Sequence, residues 1–300
     1  MSDCPHDCST CGESCGERKE VNVFEKKPLR PGCRVGKVYG VVSGKGGVGK
    51  STVSANLALA LQQEGAKVGL LDADVYGPSQ PTMLGITDKP YSVDGKTLEP
   101  MIAHGLQVAS VGVLIDPDQP MIWRGPLAVS ALQQLLKQTN WKDLDYLIVD
   151  MPPGTGDIQL SLSQEVPLTG AVVVTTPQDI ALMDARKGLV MFEKVNVPIL
   201  GIIENMATHI CSKCGHEEHI FGEGGEAKMA AQYGVDLLGE LPLDINIRLS
   251  MDKGEPIVIS EPDSKVAQVY RDIARKLAIA VSKKNKDYSA KMPSIKVSDT

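Results

Sequence analysis

Several things are scarce or missing along these 300 residues. Basic residues hold no excess: Lys+Arg number 31 against 37 Asp+Glu, a formal net charge of −6. Bulk charge therefore gives no reason to expect nucleic acid as a partner. No apolar run approaches the roughly 18 residues that span a bilayer. The opening MSDCPHDCST is polar and lacks the apolar core of a secretory signal. The expectation is a cytoplasmic protein with no membrane partner. Cysteine is missing from a long central stretch: Cys4, Cys8, Cys11, Cys15 and Cys33 stand near one end, Cys211 and Cys214 far from them. The central chain therefore folds without thiols. In a reducing compartment, clustered cysteines point to metal or redox chemistry rather than to structural disulfides. No internal repeat is present.

What is there divides into three parts. Residues 1–34 form a polar, Cys-rich arm ending in KKPLRPGCR, whose prolines disfavour regular structure. Residues 283–300 read as a polar tail. Between them, residues 35–282 alternate strand and helix patterns. KVYGVVSG, AKVGLLDAD, LQVASVG, LDYLIVDMPPG, GAVVVTTPQ and VPILGIIENM read as strands. STVSANLALALQQEG, PLAVSALQQLLKQT, IALMDARKGLVMFEKV and SKVAQVYRDIARKLAIAVSKK read as helices. YSVDGKTLEP, with Asp-Gly at its centre, is a candidate hairpin. Strands so uniformly apolar suit a parallel sheet buried on both faces. The fold class is α/β: a doubly wound, mostly parallel sheet with helices on both faces, whose ligand belongs at the carboxyl ends of the strands.

GKGGVGKS, Gly44 to Ser51, matches the phosphate loop G-x-x-x-x-G-K-[ST] in the strand-to-helix setting that the motif requires. Its glycines let backbone N–H groups converge on phosphate oxygens, and the following helix adds its positive end. The candidate nucleotide-binding residues are Gly44, Lys45, Gly46, Gly47, Val48, Gly49, Lys50, Ser51 and Thr52. Lys50 would reach the β and γ phosphates of ATP, and Ser51 would ligate Mg2+. Asp72, Asp74 and Asp150 stand at the ends of two apolar strands, where carboxylates can hold Mg2+ or its waters.

Lys45 is not needed by an ordinary phosphate loop. With it, KGGVGKS resembles the loop of the deviant-Walker ATPases, the MinD/ParA-like group. That resemblance implies a homodimer in which Lys45 crosses to the facing nucleotide, Asp74 orients the attacking water, Asp72 supports the metal shell and Asp150 is the Walker B acid. Further segments, among them DVYGPSQPTMLG, MIWRGPLAVSALQQLL, TTPQDIALMDARKG, IENMATHICSKCG and LGELPLD, resemble the Mrp/ApbC family of iron–sulfur cluster carriers over about residues 37 to 282. By that resemblance Asn205 lies near the adenine and Pro242 packs on the base. Apo iron–sulfur proteins and cluster-assembly proteins are the implied partners. A MinD/ParA-like positioning ATPase with structural zinc is the alternative.

The cysteines themselves leave several readings open. Cys4, Cys8, Cys11 and Cys15 could wrap a 4Fe–4S cluster, hold tetrahedral zinc, or form a free thiol arm. Their compact spacing differs from the wider one of the eukaryotic scaffold branch. Cys211 and Cys214 offer half of a four-ligand site. His209, His216 and His219 could complete zinc, or the pair could be redox-active. The resemblance implies instead that two copies of the pair, one per subunit, bridge a 4Fe–4S cluster. In that reading the histidines are neighbours rather than ligands. Cys33 is expected to be a bystander thiol.

Overall fold

The computed structural model describes residues 27–30, 33–113, 125–211 and 213–283. Cys4, Cys8, Cys11, Cys15 and the tail from residue 284 lie outside them. The strands are β1 (Lys27–Arg30), β2 (Cys33–Val42), β3 (Val68–Asp72), β4 (Met101–Ala103), β5 (Leu106–Ser110), β6 (Leu144–Asp150), β7 (Gly170–Thr175), β8 (Ile199–Ile210), β9 (Glu217–Glu218) and β10 (Leu237–Leu243). The helices are α1 (Lys50–Gln63), α2 (Gln80–Met83), α3 (Gly125–Gln138), α4 (Asp157–Glu165), α5 (Asp179–Lys194), α6 (Gly225–Tyr233), α7 (Ile245–Asp252), α8 (Ile257–Ser260) and α9 (Lys265–Lys283).

One sheet runs β10-β8-β7-β2-β6-β3-β5-β4. Every neighbouring pair along it is parallel except β4 with β5. Every residue of β3 and of β7 is buried, which is why these strands read as unbroken apolar runs. Two hydrophobic cores result, one on each face. The first packs α1, α7, α8 and α9 on the sheet; the second packs α3, α4, α5 and α6. Helix α1 is buried almost all round, between the sheet and α9. Its Ala, Ser and Asn residues keep that approach close. Helix α9 spends its apolar stripe, including Tyr270, Ile273 and Leu277, inside the first core. No helix among the described residues is long and apolar enough to cross a membrane.

Two local expectations change. The stretch YSVDGKTLEP forms no hairpin; Asp94 Oδ1 instead accepts from the N–H groups of Lys96 and Thr97 at 2.9 and 2.7 Å, closing an Asx-type turn. The hairpin lies one segment on, where β4 and β5 meet through His104 and Gly105, both at positive φ. The sheet also begins before the expected boundary at 34–35. Residues 27–30 pair antiparallel with β2, Pro28 opposite Arg34. Proline is tolerated there because an outer strand has a side that needs no N–H donor.

Candidate functional site

Strand β2 delivers the chain to the phosphate loop at the carboxyl edge of the sheet, and α1 leaves from it. Gly47 and Gly49 adopt φ of 81° and 82°, the left-handed region that glycine enters freely. A Cβ on Gly44 would collide with the backbone carbonyl of Asp184 in α5, and one on Gly49 with the side chain of Asn205. The motif glycines thus answer to packing as well as to phosphate. The loop encloses a cavity of about 210 Å³, lined by residues including Lys45, Ser51, Thr52, Asp74, Met83 and Pro153. A larger cleft of about 750 Å³ lies beside β4, and none of these residues lines it.

Lys50 is buried and points back into the sheet end. Its Nζ donates to Asp150 Oδ1 at 2.6 Å, lies 3.3 Å from Ser51 Oγ, and stands 3.8 Å from Asp74 Oδ2. Asp150 Oδ1 also accepts from Ser54 Oγ at 3.0 Å, and Oδ2 from Gln80 Nε2 at 2.8 Å. Asp72 stands beside Asp150 across the β3–β6 pair. Its Oδ2 accepts from the N–H groups of Ser79 and Gln80 and from Ser110 Oγ, and its Oδ1 from the Asp74 N–H. Burial, and then the charge of Asp150, push the Asp72 carboxyl up to about 7 despite these donors. Asp74 accepts from the N–H groups of Tyr76 and Gly77 at 3.3 Å, which turns the loop after β3 around it. Lys45 is exposed on the rim.

The donors gathered here are hydroxyl and carboxylate oxygens, the set a hard cation takes. Two more buried oxygens, Ser43 Oγ and Gln80 Oε1, have no hydrogen-bond partner among the described residues. Ser51, Asp72 and Asp150, the residues expected to hold Mg2+, offer oxygens of this kind, though no three acidic side chains among the described residues converge on one point. On the other flank, Asn205 Nδ2 donates to the Val48 carbonyl at 2.9 Å. Leu241 of β10 pairs with Asn205, so Pro242 follows directly beside it, half-buried. Gln80, Ser54 and Ser110 were not legible as site residues.

Strand β8 runs past the expected ENM to Ile210, so it carries Asn205 and ends at Cys211. Met206 sits at φ 59°, and the register against β10 slips just there. Beyond the bulge, β8 pairs with β9 through His209–Glu218 and Ile210–Glu217. The C-x-x-C segment is the tip of this hairpin. The Cys211 N–H donates to the His216 carbonyl at 2.9 Å, and the Gly215 N–H to the Cys211 carbonyl at 2.8 Å. Cys211 is half-buried and Cys214 exposed; both are free thiols. The N–H groups of Lys213 and Cys214, with the Cys214 thiol, hold the Cys211 thiol below its usual range. His209 Nδ1 lies 3.4 Å from the Leu243 carbonyl and His219 Nδ1 3.1 Å from that of Ala207. Among the described residues, no three His, Cys, Asp or Glu side chains converge as a metal site.

The base of this hairpin holds a buried acid pair. Glu204 of β8 and Glu226 of α6 face each other, each with an Oε2 that has no hydrogen-bond partner among the described residues. Burial, the bond to Glu226 and the charges of Glu226 and Glu240 push Glu204 up to about 9. Glu226 is held low, chiefly by the bond from Glu204, against the opposing effect of its own burial.

The profile described as a NUBPL iron-transfer P-loop NTPase, of the ParA group, matches residues 34–278. The iron-sulfur cluster carrier protein of Salmonella typhimurium is 59% identical over 260 residues, 86% of this chain and 70% of that one. The nucleotide-binding protein of Archaeoglobus fulgidus, solved in complex with ADP, superposes with a TM-score of 0.68 at 36% identity, over 79% of this chain and 92% of the other. The cell division ATPase MinD of Pyrococcus furiosus superposes with a TM-score of 0.62 at 24% identity, over 81% of this chain and 99% of the other, a likeness of fold alone.

Proposed function

Since the chain belongs to the NUBPL iron-transfer family of P-loop NTPases, we propose that it is an ATP-hydrolysing carrier working as a homodimer. It holds a 4Fe–4S cluster between the Cys211–Cys214 pairs of two subunits and hands it to apo iron–sulfur proteins, in company with cluster-assembly proteins. The observation that carries this reading is the exposed turn at the end of β8, which offers two thiols, one of them eased toward thiolate. A twofold axis supplies two more, and a 4Fe–4S cluster takes four.

In this reading Lys50 exchanges Asp150 Oδ1 for the β and γ phosphates. That exchange releases one Asp150 oxygen toward the cation, in a shell with Ser51 and Asp72. Bound Mg2+ would neutralise charge developing on the phosphate oxygens. Asp74, already turned toward Lys50, orients the attacking water. Lys45 reaches the partner's nucleotide, and Asn205 and Pro242 flank the base. ATP binding sets the subunit geometry and hydrolysis resets it. The functional unit is residues 35–282, with the strand at 27–30 added to its sheet, and Cys4, Cys8, Cys11 and Cys15 offer a second 4Fe–4S site on the arm.

Anaerobic reconstitution with iron and sulfide tests the reading. The expected result is about four irons per dimer at the bridging site, measured in Cys4/Cys8/Cys11/Cys15→Ser protein. Stoichiometric zinc at Cys211 and Cys214 that blocks iron uptake would favour a positioning ATPase with structural zinc instead.

A further inference from the structure

Gln80 is fully buried at the start of α2, and its side chain reaches Ser51 and Asp150 behind the phosphate loop. Its amide nitrogen has two acceptors: the Ser51 carbonyl at 3.0 Å and Asp150 Oδ2 at 2.8 Å. Two acceptors fix the orientation of the amide, because the flipped form would set its oxygen against both of them. Its backbone N–H donates to Asp72 Oδ2 at 3.1 Å. One residue therefore ties together the loop after β3, the end of β6 and the first turn of α1. The amide oxygen that remains, Oε1, is buried with no partner among the described residues. A buried acceptor without a donor is costly, and native structures rarely leave one so.

We propose that Gln80 is a positioning residue of the divalent-cation site: its NH2 group aims Asp150 and the Ser51 turn, and its Oε1 receives a hydrogen bond from a water of the cation's shell. Waters on a divalent cation are polarised donors, and they are the donors this pocket gains when nucleotide and cation enter together. Lys50 cannot fill that role, since its ammonium is spent on Asp150 and then on phosphate. The inference rests on the nucleotide reading of the phosphate loop. It adds that Gln80 acts on the cation and not on the nucleotide.

The test uses full-length protein, a non-hydrolysable ATP analogue and Mn2+ in place of Mg2+, with bound Mn2+ read by electron paramagnetic resonance. Gln80→Met keeps the length of the side chain and removes both functions of the amide. Its Mn2+ affinity in the nucleotide complex is expected to fall roughly tenfold or more, as for other partners of metal-bound groups. Its affinity for the analogue in EDTA should stay within about twofold of wild type, since no contact to nucleotide is removed. Unchanged Mn2+ affinity overturns the proposal. An equal loss with and without metal overturns it too, because that marks a purely structural role. Should Gln80→Met fail to fold, the same titration on Gln80→Ala decides between the same outcomes. If wild type binds no analogue at all, the nucleotide reading itself has failed.

Discussion

The two ends of the working half of β8 are built in opposite ways. At Asn205 the strand is tied to Val48 of the phosphate loop, which leads into a buried network where Lys50, Asp150, Gln80 and Asp72 each have several fixed partners. At Cys211, six residues on and about 20 Å at full extension, the strand ends in an exposed two-rung hairpin. The first end has its phosphate loop, acids and cation donors within one chain. The second has two thiols, and two of its histidines, His209 and His219, turn toward backbone carbonyls. In the proposed dimer, a second subunit would refine the nucleotide end and complete the cysteine end.

The largest effect that could break this contrast is at Lys50. Lys50→Ala should abolish nucleotide turnover and lower stability by about 3 kcal/mol, because Asp150 then keeps a buried charge beside Asp72. Calorimetry and a phosphate-release assay read both; unchanged turnover would refute the phosphate-loop assignment. Cys211→Ser with Cys214→Ser should behave in the reverse way. Iron at the bridging site is lost, while stability stays within about 0.5 kcal/mol, as for surface positions outside a packed core, and analogue binding persists. Should stability collapse instead, the pair is a structural knuckle. Lys45→Ala should keep nucleotide binding but cut turnover on the order of tenfold or more, the scale of a lost transition-state charge contact. Turnover equal to wild type would remove the lysine from the facing site.

The last expected effect is one of pH, at Glu204, the residue before Asn205 on β8. Folding raises its carboxyl from 4.5 to about 9, so the native state binds a proton that the unfolded chain releases across that window. Wild-type stability therefore falls as pH rises from about 4.5 to about 9 on this account. Glu204→Gln, which keeps a donor for Glu226, should flatten that slope. It should also gain on wild type at pH 8 relative to pH 5, the direction set by the lost proton linkage. Denaturant melts at the two pH values check it, and a slope unchanged by the substitution would dismiss the acid pair as a proton store.

The nucleotide end was the more legible of the two in the sequence, for a physical reason. A phosphate loop is built from consecutive residues, so Gly44 to Ser51 declare themselves without knowledge of the fold. Strand-end Asp72 and Asp150 followed from unbroken apolar runs. Gln80 did not follow, because its partners are 29 and 70 residues away and only the β3–β6 pairing brings them together. The reach of β8 to Ile210 was hidden in a similar way. Polar THI breaks the apolar run, yet backbone pairing with β10 and β9 continues through it. The misplaced hairpin shows the limit of dipeptide signals. Asp94 satisfied its own turn locally, while the His104–Gly105 corner was set by the edge of the sheet.

Strand β9 spans two residues, both exposed, and meets β8 through two residue pairs. Segments with so few buried contacts are the ones that open first in native proteins, at a small fraction of the global unfolding free energy. For a protein that must both grip and surrender a cargo, this sets an order of events. The tip can loosen and re-form many times while the parallel sheet behind it stays in register, so hydrogen exchange should be fastest at Lys213–Glu218 and slowest in β3 and β7.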